Sequence, residues 1–257
     1  MILRMSQSTE IFTKTVGNYK KYRPSYPKDI ITLLIDKTIL TPDSIIADLG
    51  SGTGIFTKLL LDQGNFVFGV EPNRAMRTTA EQDLTPYPNF QSVAATAETT
   101  TITEHSIDII TVATAFHWLD ADKVKIEFQR ILKSPGYVVL LWNVRDQTNS
   151  PLQRDYEELI EKYGLHYKDQ YAHKFDIEGL KDFFSPYPMH AITFPYVQQL
   201  DWEGLKGRLL STTYALQPHE ANFTIMVQQL KDIYDKYENQ GTVEFLYNTE
   251  VYYGCFS

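Results

Sequence analysis

Three glycines at alternate positions, Gly50, Gly52 and Gly54, follow the acidic strand end Asp48-Leu49, and a second acid, Glu71, stands 21 residues after Gly50. Glycine lets the backbone take left-handed angles and approach a ligand closely. A helix starting just after such a turn offers free N–H groups. An acid about 20 residues further on is where a carboxylate can accept the two hydroxyls of a ribose. The spacing is G-x-G-x-G, not the G-x-G-x-x-G of dinucleotide-binding proteins. Two further residues are of types that could act on an acceptor. Histidine titrates near neutral pH, so His117, between Phe116 and Trp118, reads as a general base, an orienting donor or a structural histidine. Arg145 reads as a bidentate fork for a carboxylate, or as the ion-pair partner of Asp146 or a glutamate.

These residues need elements to hold them. Ile45 to Leu49 reads as a buried strand and Ile55 to Leu61 as the helix after the glycine turn. Phe66 to Val70 is a second strand ending at Glu71, Asn73 to Leu84 is helical, and Phe90 to Ala94 is a third strand. Ile107 to Ala113 is a strongly apolar fourth strand that runs into Thr114 and the Phe-His-Trp triplet. A helix from Asp122 to Leu132, a Ser134-Pro135-Gly136 turn and a fifth strand from Tyr137 to Trp142 follow. This alternation implies a parallel sheet with helices on both faces. Such sheets bind ligands at the carboxyl ends of their strands. That rule gathers Asp48 to Gly54, Glu71, Ala94 to Glu98, Thr114 to Trp118 and Asn143 to Asp146 on one crevice. Before the first strand, the aromatic segment Tyr19, Tyr22, Arg23-Pro24, Tyr26-Pro27 leads into a helix from Lys28 to about Ile39. After Arg145 come a polar helical stretch at 151–183, a strand from Met189 to Leu200, and helices from Trp202 to Leu210 and from His219 to Tyr237. The last strand, Val243 to Tyr253, is expected to break at Asn248.

Asp-Leu-Gly-Ser-Gly-Thr-Gly with Glu71 at the second strand end resembles the class I S-adenosylmethionine-dependent methyltransferases. The Phe-His-Trp triplet, Arg130-Ile131-Leu132-Lys133 and Trp142-Asn143-x-Arg145-Asp146 are similar to the trans-aconitate methyltransferase-like small-molecule subgroup. The resemblance covers most of residues 10–146. It implies an α/β fold: a Rossmann-like seven-stranded, mostly parallel sheet with helices on both faces. It also implies a single methyltransferase domain over 1–257, with an N-terminal arm and helix at 11–40 and a helical cap insert at 146–186. The implied cofactor is S-adenosyl-L-methionine, held by Asp48, Gly50, Ser51, Gly52, Gly54, Glu71, Pro72, Met76 and Thr114. Ala95-Thr96-Ala97-Glu98 stands where the family carries an acid-Ala-Glu group around the adenine, which adds Ala97 and Glu98, with Thr96 in place of the first acid. The tyrosine-rich segment is similar to an arm that folds over cofactor or substrate; an aromatic loop docked on the core is the other reading. By this resemblance His117 is the catalytic residue, and Tyr19, Tyr22, Arg23, Phe116, Trp118 and Arg145 meet the substrate. The implied reaction is methyl transfer to a small organic acceptor, most simply at an oxygen of a carboxylate, phenol or hydroxyl. A nicotinamide-dependent oxidoreductase and a catalytically inactive cofactor-binding protein are the alternatives.

Composition narrows the partners. The net charge is −8, from 24 basic and 32 acidic residues with no basic run, which argues against a nucleic-acid surface. One or two local arginines would still suffice for a small anionic substrate. Cys255 is the single cysteine, and no Cys/His spacing suits zinc, so no disulfide or metal is expected. The first ten residues lack a signal-peptide core, and no stretch reaches the about 18 apolar residues that span a bilayer. The expectation is a cytoplasmic monomer or homodimer acting on a small molecule. His105, His166, His173, His190 and His219 read as surface or packing residues. Of 17 tyrosines, 13 lie at or after position 137, so an aromatic-walled pocket is expected to draw on that half.

Overall fold

The computed structural model describes residues 16–165, 167 and 177–256. The expected arm before residue 16, and His166, Tyr171, His173 and the rest of 168–176 in the expected cap, lie outside the described residues. Residues 16–22 are helical. Then follow α1 (Asp29–Lys37), β1 (Ile45–Leu49), α2 (Ile55–Leu61), β2 (Phe66–Val70), α3 (Arg74–Asp83), β3 (Phe90–Val93) and β4 (Ile107–Ala113). A short 3-10 turn, Phe116–Trp118, precedes α4 (Ala121–Ile131) and β5 (Leu132–Arg145). The remaining elements are α5 (Pro151–Tyr163), α6 (Ile177–Phe184), β6 (His190–Leu200), α7 (Trp202–Leu210), α8 (Phe223–Tyr237) and β7 (Val243–Cys255).

One seven-stranded sheet has the order β3-β2-β1-β4-β5-β7-β6. β1 pairs in parallel with β2 and β4, β2 with β3, and β4 with β5. Strands buried on both faces must be apolar along their length, which is why β1 and β4 read as continuous apolar runs rather than alternating ones. Strand order reverses between β1 and β4, the switch point where a Rossmann-like sheet opens a crevice at its carboxyl edge.

Three expectations change. The Ser134-Pro135-Gly136 turn lies inside β5: Leu132 pairs with Ile107 and Tyr137 with Ile109, so the extra residues bulge while pairing continues. β7 runs through Asn248, which falls on its partly exposed face between buried Tyr247 and Thr249. α8 starts at Phe223, because Gln217 and Glu220 close a turn on each other and Asn222 takes a left-handed φ of 68°.

The chain forms two compact units. Unit 1 draws on Met1–Pro24, Asn143–Lys174 and Pro195–Asn248, and unit 2 on Ser25–Trp142, Phe175–Phe194 and Thr249–Ser257. Unit 2 packs Ile30, Leu34, Ile46, Phe56, Leu60 and Ile109 in its core. Unit 1 packs Tyr156, Leu205, Leu209, Leu230, Phe245 and Tyr247. In unit 1 the fully buried Gln153 amide exchanges two 2.7 Å hydrogen bonds with the backbone of Leu246.

The glycine turn requires two of its glycines for different reasons. A Cβ on Gly50 (φ +70°) would lie 2.6 Å from the Cβ of Ala115, so the loops after β1 and β4 touch only because that atom is missing. At Gly52 (φ +57°) a Cβ would meet nothing within 4 Å. Gly50→Ala therefore combines backbone strain with a clash and should cost about 3 kcal/mol or more of stability. Gly52→Ala should cost only about 1–2 kcal/mol from its φ. Urea titration of both variants checks the order.

Candidate functional site at the switch point

The loop after β1 is closed by its own backbone. Gly50 N and Ser51 N both donate to Val70 O, at 2.9 and 3.1 Å, and Gly54 N donates to Ser51 O at 2.9 Å. Glu71 locks the arrangement. Its Oε2 accepts from Gly52 N at 3.0 Å and its Oε1 from Asn73 N at 2.7 Å. Asn73 in turn caps α3, its Oδ1 accepting from Ala75 N and Met76 N. Burial pushes the Glu71 carboxyl above its usual range, against the two N–H donors and nearby Arg77. An ionised carboxylate has about four lone-pair positions, so two remain for a ligand. Thr53 Oγ1 is buried with no partner. An open backbone face at Gly52, a pinned carboxylate and an unsatisfied hydroxyl fit a polar, diol-bearing ligand such as a nucleoside.

Asp48 differs from expectation. It is fully buried and holds two hydroxyls, Thr57 Oγ1 donating to Oδ2 at 2.6 Å and Thr111 Oγ1 to Oδ1 at 2.9 Å. Its carboxylate braces the loop from beneath and has no surface for a ligand. Burial raises its pKa from 3.8 to about 6, the threonine donors opposing the shift. Thr57 and Thr111 are missed by motif reading, which stops at the acid.

At the end of β4, Thr114 takes a φ of +55°, a conformation β-branched residues avoid. Its N donates to Leu141 O at 2.7 Å, and its Oγ1 shares a 2.9 Å hydrogen bond with Tyr26 OH. Strain of this kind, of order 1–3 kcal/mol, clusters at binding sites. Phe116 departs from its expected substrate contact: it is fully buried, edge-on to Phe183 at 4.6 Å and to Trp142 at 6.4 Å. His117 is partly exposed, and its Nδ1 accepts the Trp142 indole N–H at 3.3 Å. An indole only donates, so the neutral ring carries its proton on Nε2. Trp118 lies beside it, ring centroids 4.9 Å apart. Pro72 is exposed, while Met76 and Ala97 are buried. Glu98 is partly buried and accepts Asp120 N at 3.2 Å.

The remaining predicted residues belong to unit 1. The Tyr22 ring lies against Gly207 of α7, where no Cβ would fit, and Tyr22 O accepts Gln198 Nε2 at 3.1 Å. Arg23 Nη2 donates to Ser211 O at 3.0 Å, its guanidinium 4.7 Å from the Tyr19 ring. Arg145 pairs with Glu157 at 3.0 Å and donates to Tyr214 OH at 3.2 Å and Tyr167 OH at 2.7 Å. The ion-pair reading of Arg145 describes its surroundings; its donors are committed. Motif reading passes over Arg208, which lies among the buried residues of α7 with Leu205 and Leu209.

The raised Asp48 pKa sets a pH dependence. The folded chain holds this proton more tightly than the unfolded chain, so stability falls as pH rises from about 4 to about 6 and is level above. The full shift corresponds to roughly 3 kcal/mol. Asp48→Asn mimics the protonated form, so its stability relative to wild type should improve across that window, as thermal melts at pH 4, 5, 6 and 7 would measure.

Residues 47–140 match the family model described as a methyltransferase domain. An uncharacterized methyltransferase of Mycobacterium bovis is 34% identical over 136 residues, 53% of each chain. The chain thus spans about half the length of such curated relatives. Among solved structures, a chain from Anaeromyxobacter dehalogenans provisionally described as a type II methyltransferase superposes with a TM-score of 0.65 at 17% identity, over 91% of this chain and 98% of that one. The Haemonchus contortus phosphoethanolamine N-methyltransferase 2, solved with S-adenosylhomocysteine, gives 0.54 at 14% identity over 95% of this chain and 56% of that one. These two likenesses show the fold. Residues 47–140 thus resemble a methyltransferase domain, a class that uses S-adenosylmethionine. No helix among the described residues is long and apolar enough to cross a membrane.

Proposed function

We propose that this chain transfers a methyl group from S-adenosylmethionine to an oxygen of a small organic acceptor. The observation that carries this reading is the Glu71 carboxylate, pinned by Gly52 N and Asn73 N beside the open Gly52 backbone. Glu71 would accept the ribose hydroxyls with its remaining lone pairs, and Gly50 to Gly54 would let the chain lie close against the ligand. Pro72, Met76, Ala97 and Glu98 would surround the adenine, and Thr114 would border the reactive end. When bound, the cofactor supplies an electrophilic methyl on a sulfonium. What remains for the protein is in-line positioning, which accounts for much of the barrier in such transfers. A carboxylate acceptor needs no base, whereas a phenol or hydroxyl does. With its Nδ1 accepting the Trp142 indole, His117 acts as an Nε2–H donor that orients the acceptor oxygen. Nicotinamide chemistry is disfavoured by the glycine spacing and by the domain matched at 47–140.

Calorimetry should show S-adenosylmethionine and S-adenosylhomocysteine binding while NAD and NADP do not. Glu71→Ala should weaken binding by about 1.5–3 kcal/mol, through loss of a charged acceptor. Tight NAD binding without a response to the sulfonium compound would end this reading.

Turnover should survive better in His117→Gln, which keeps a donor, than in His117→Ala, with cofactor affinity little changed in either. The wild-type kcat should be flat with pH through the histidine range. A rise with pH there, lost in His117→Gln, would restore the general-base role.

A further inference from the structure

Unit 1 gathers three guanidinium groups around tyrosines, and their donors are unequally used. Arg145 has Glu157 as its counter-ion and two tyrosine hydroxyls as further acceptors. Arg208, 4% exposed, gives its Nε to Tyr247 OH at 2.9 Å, but its Nη1 is buried with no partner. Arg23 is partly exposed as a residue, yet its Nε is buried and equally without a partner. The Tyr156 hydroxyl is a third buried group with none. Ser211 joins the two arginines, its carbonyl accepting from Arg23 Nη2 at 3.0 Å and its Oγ donating to Arg208 O at 2.7 Å. Tyr156 and Arg208 meet at Phe245, whose ring centroid lies 5.1 Å from that of Tyr156 and 6.0 Å from Arg208 Cζ, and Arg145 Cζ lies 6.0 Å from the Tyr156 centroid. Among the described residues, the carboxylate that pairs with this group is Glu157, and it is held by Arg145.

Buried donors are nearly always paired, and a buried charge without a counter-charge is costly. Aromatic faces soften that cost without removing it: the Arg208 Cζ lies 5.9 Å from the Tyr247 ring centroid and 6.0 Å from that of Phe245. A positive cluster with unspent N–H groups is what a bound oxoanion would complete.

We propose that Arg208 Nη1 and Arg23 Nε, with the Tyr156 hydroxyl, form a binding site for the carboxylate of a small organic acid. Three donors suit the two oxygens of a carboxylate. Ser211, whose carbonyl holds Arg23, caps the C-terminal end of α7, and a helix C-terminus disfavours the higher charge of a phosphate. The site lies within unit 1 and stands independently of the methyltransferase reading.

The test uses the full chain with succinate, citrate and inorganic phosphate as probes at constant ionic strength, read by calorimetry and thermal shift. Wild type should bind succinate or citrate saturably, with phosphate weaker. Arg208→Gln should lose about tenfold or more in affinity, the worth of a charged hydrogen bond, with Arg208→Lys intermediate. Without ligand, the Arg208→Gln midpoint should stay level or rise, since an uncompensated buried cation is removed; a purely structural arginine would lower it. Arg23→Gln should show the same affinity loss and serves if Arg208→Gln does not fold. The proposal is overturned by no saturable response in wild type, by phosphate binding more tightly than either acid, or by unchanged affinity in both glutamine variants. Calorimetry with S-adenosylhomocysteine on the same samples keeps the two readings apart: its failure in wild type would sink the methyltransferase reading and leave this one standing.

Discussion

A carboxylate that accepts two backbone N–H groups does more here than await a ligand. Glu71 ties the glycine turn, through Gly52 N, to the start of α3, through Asn73 N. Gly50 must lack a Cβ to pass Ala115, and Gly54 sits at a φ of +82° that favours glycine. Once β1 and β2 are in register, Val70 O collects the first two amides of the loop, and Glu71 is the next residue along. The acid is thus delivered to the turn by sheet pairing, and the turn is shaped to receive it. Its burial disfavours the charged form, which the paired N–H groups oppose.

The same accounting separates the chain's other buried charges. Asp48 is compensated by two hydroxyls, and Glu127 by Thr100 and Arg130, whose Nη2 reaches it at 2.7 Å. Arg145 has Glu157 and two phenols. Each of these groups stiffens its surroundings because every strong donor or acceptor finds a partner. Arg208 and Arg23 break the pattern, each keeping a buried donor unused. Unspent buried polarity of this kind costs stability.

The strained Thr114 and the tautomer imposed on His117 share a theme. Both depend on residues far away in sequence, Tyr26 and Leu141 for the threonine and Trp142 for the histidine. A side chain's chemistry at the edge of a parallel sheet is therefore set by what the adjacent strand brings beside it. His117 shows this directly: its Nδ1 accepts the Trp142 indole N–H, which leaves the proton of the neutral ring on Nε2.

Local signals were enough for the elements that hold the glycine turn and Glu71. Apolar runs, the glycine turn and the Asn73 cap place β1, α2, β2, α3 and β4 within a residue or two, because strand burial and helix capping are short-range demands. The glycine spacing and Glu71 likewise carry the candidate site in sequence alone, since a turn and the next strand end are one βαβ unit apart. Long-range pairing decided the rest. Ser134-Pro135-Gly136 has the composition of a turn, yet it stays in β5 because β4 pairs on both sides of it. Phe116 and Asp48 look exposed by position and are buried by neighbours that arrive from α6, β4 and β5. Arg145 and Arg208 are alike as residues in a sequence; only the folded chain gives Glu157 to one and leaves a buried Nη1 of the other without a partner, because charge compensation depends on distances between segments that no local pattern encodes.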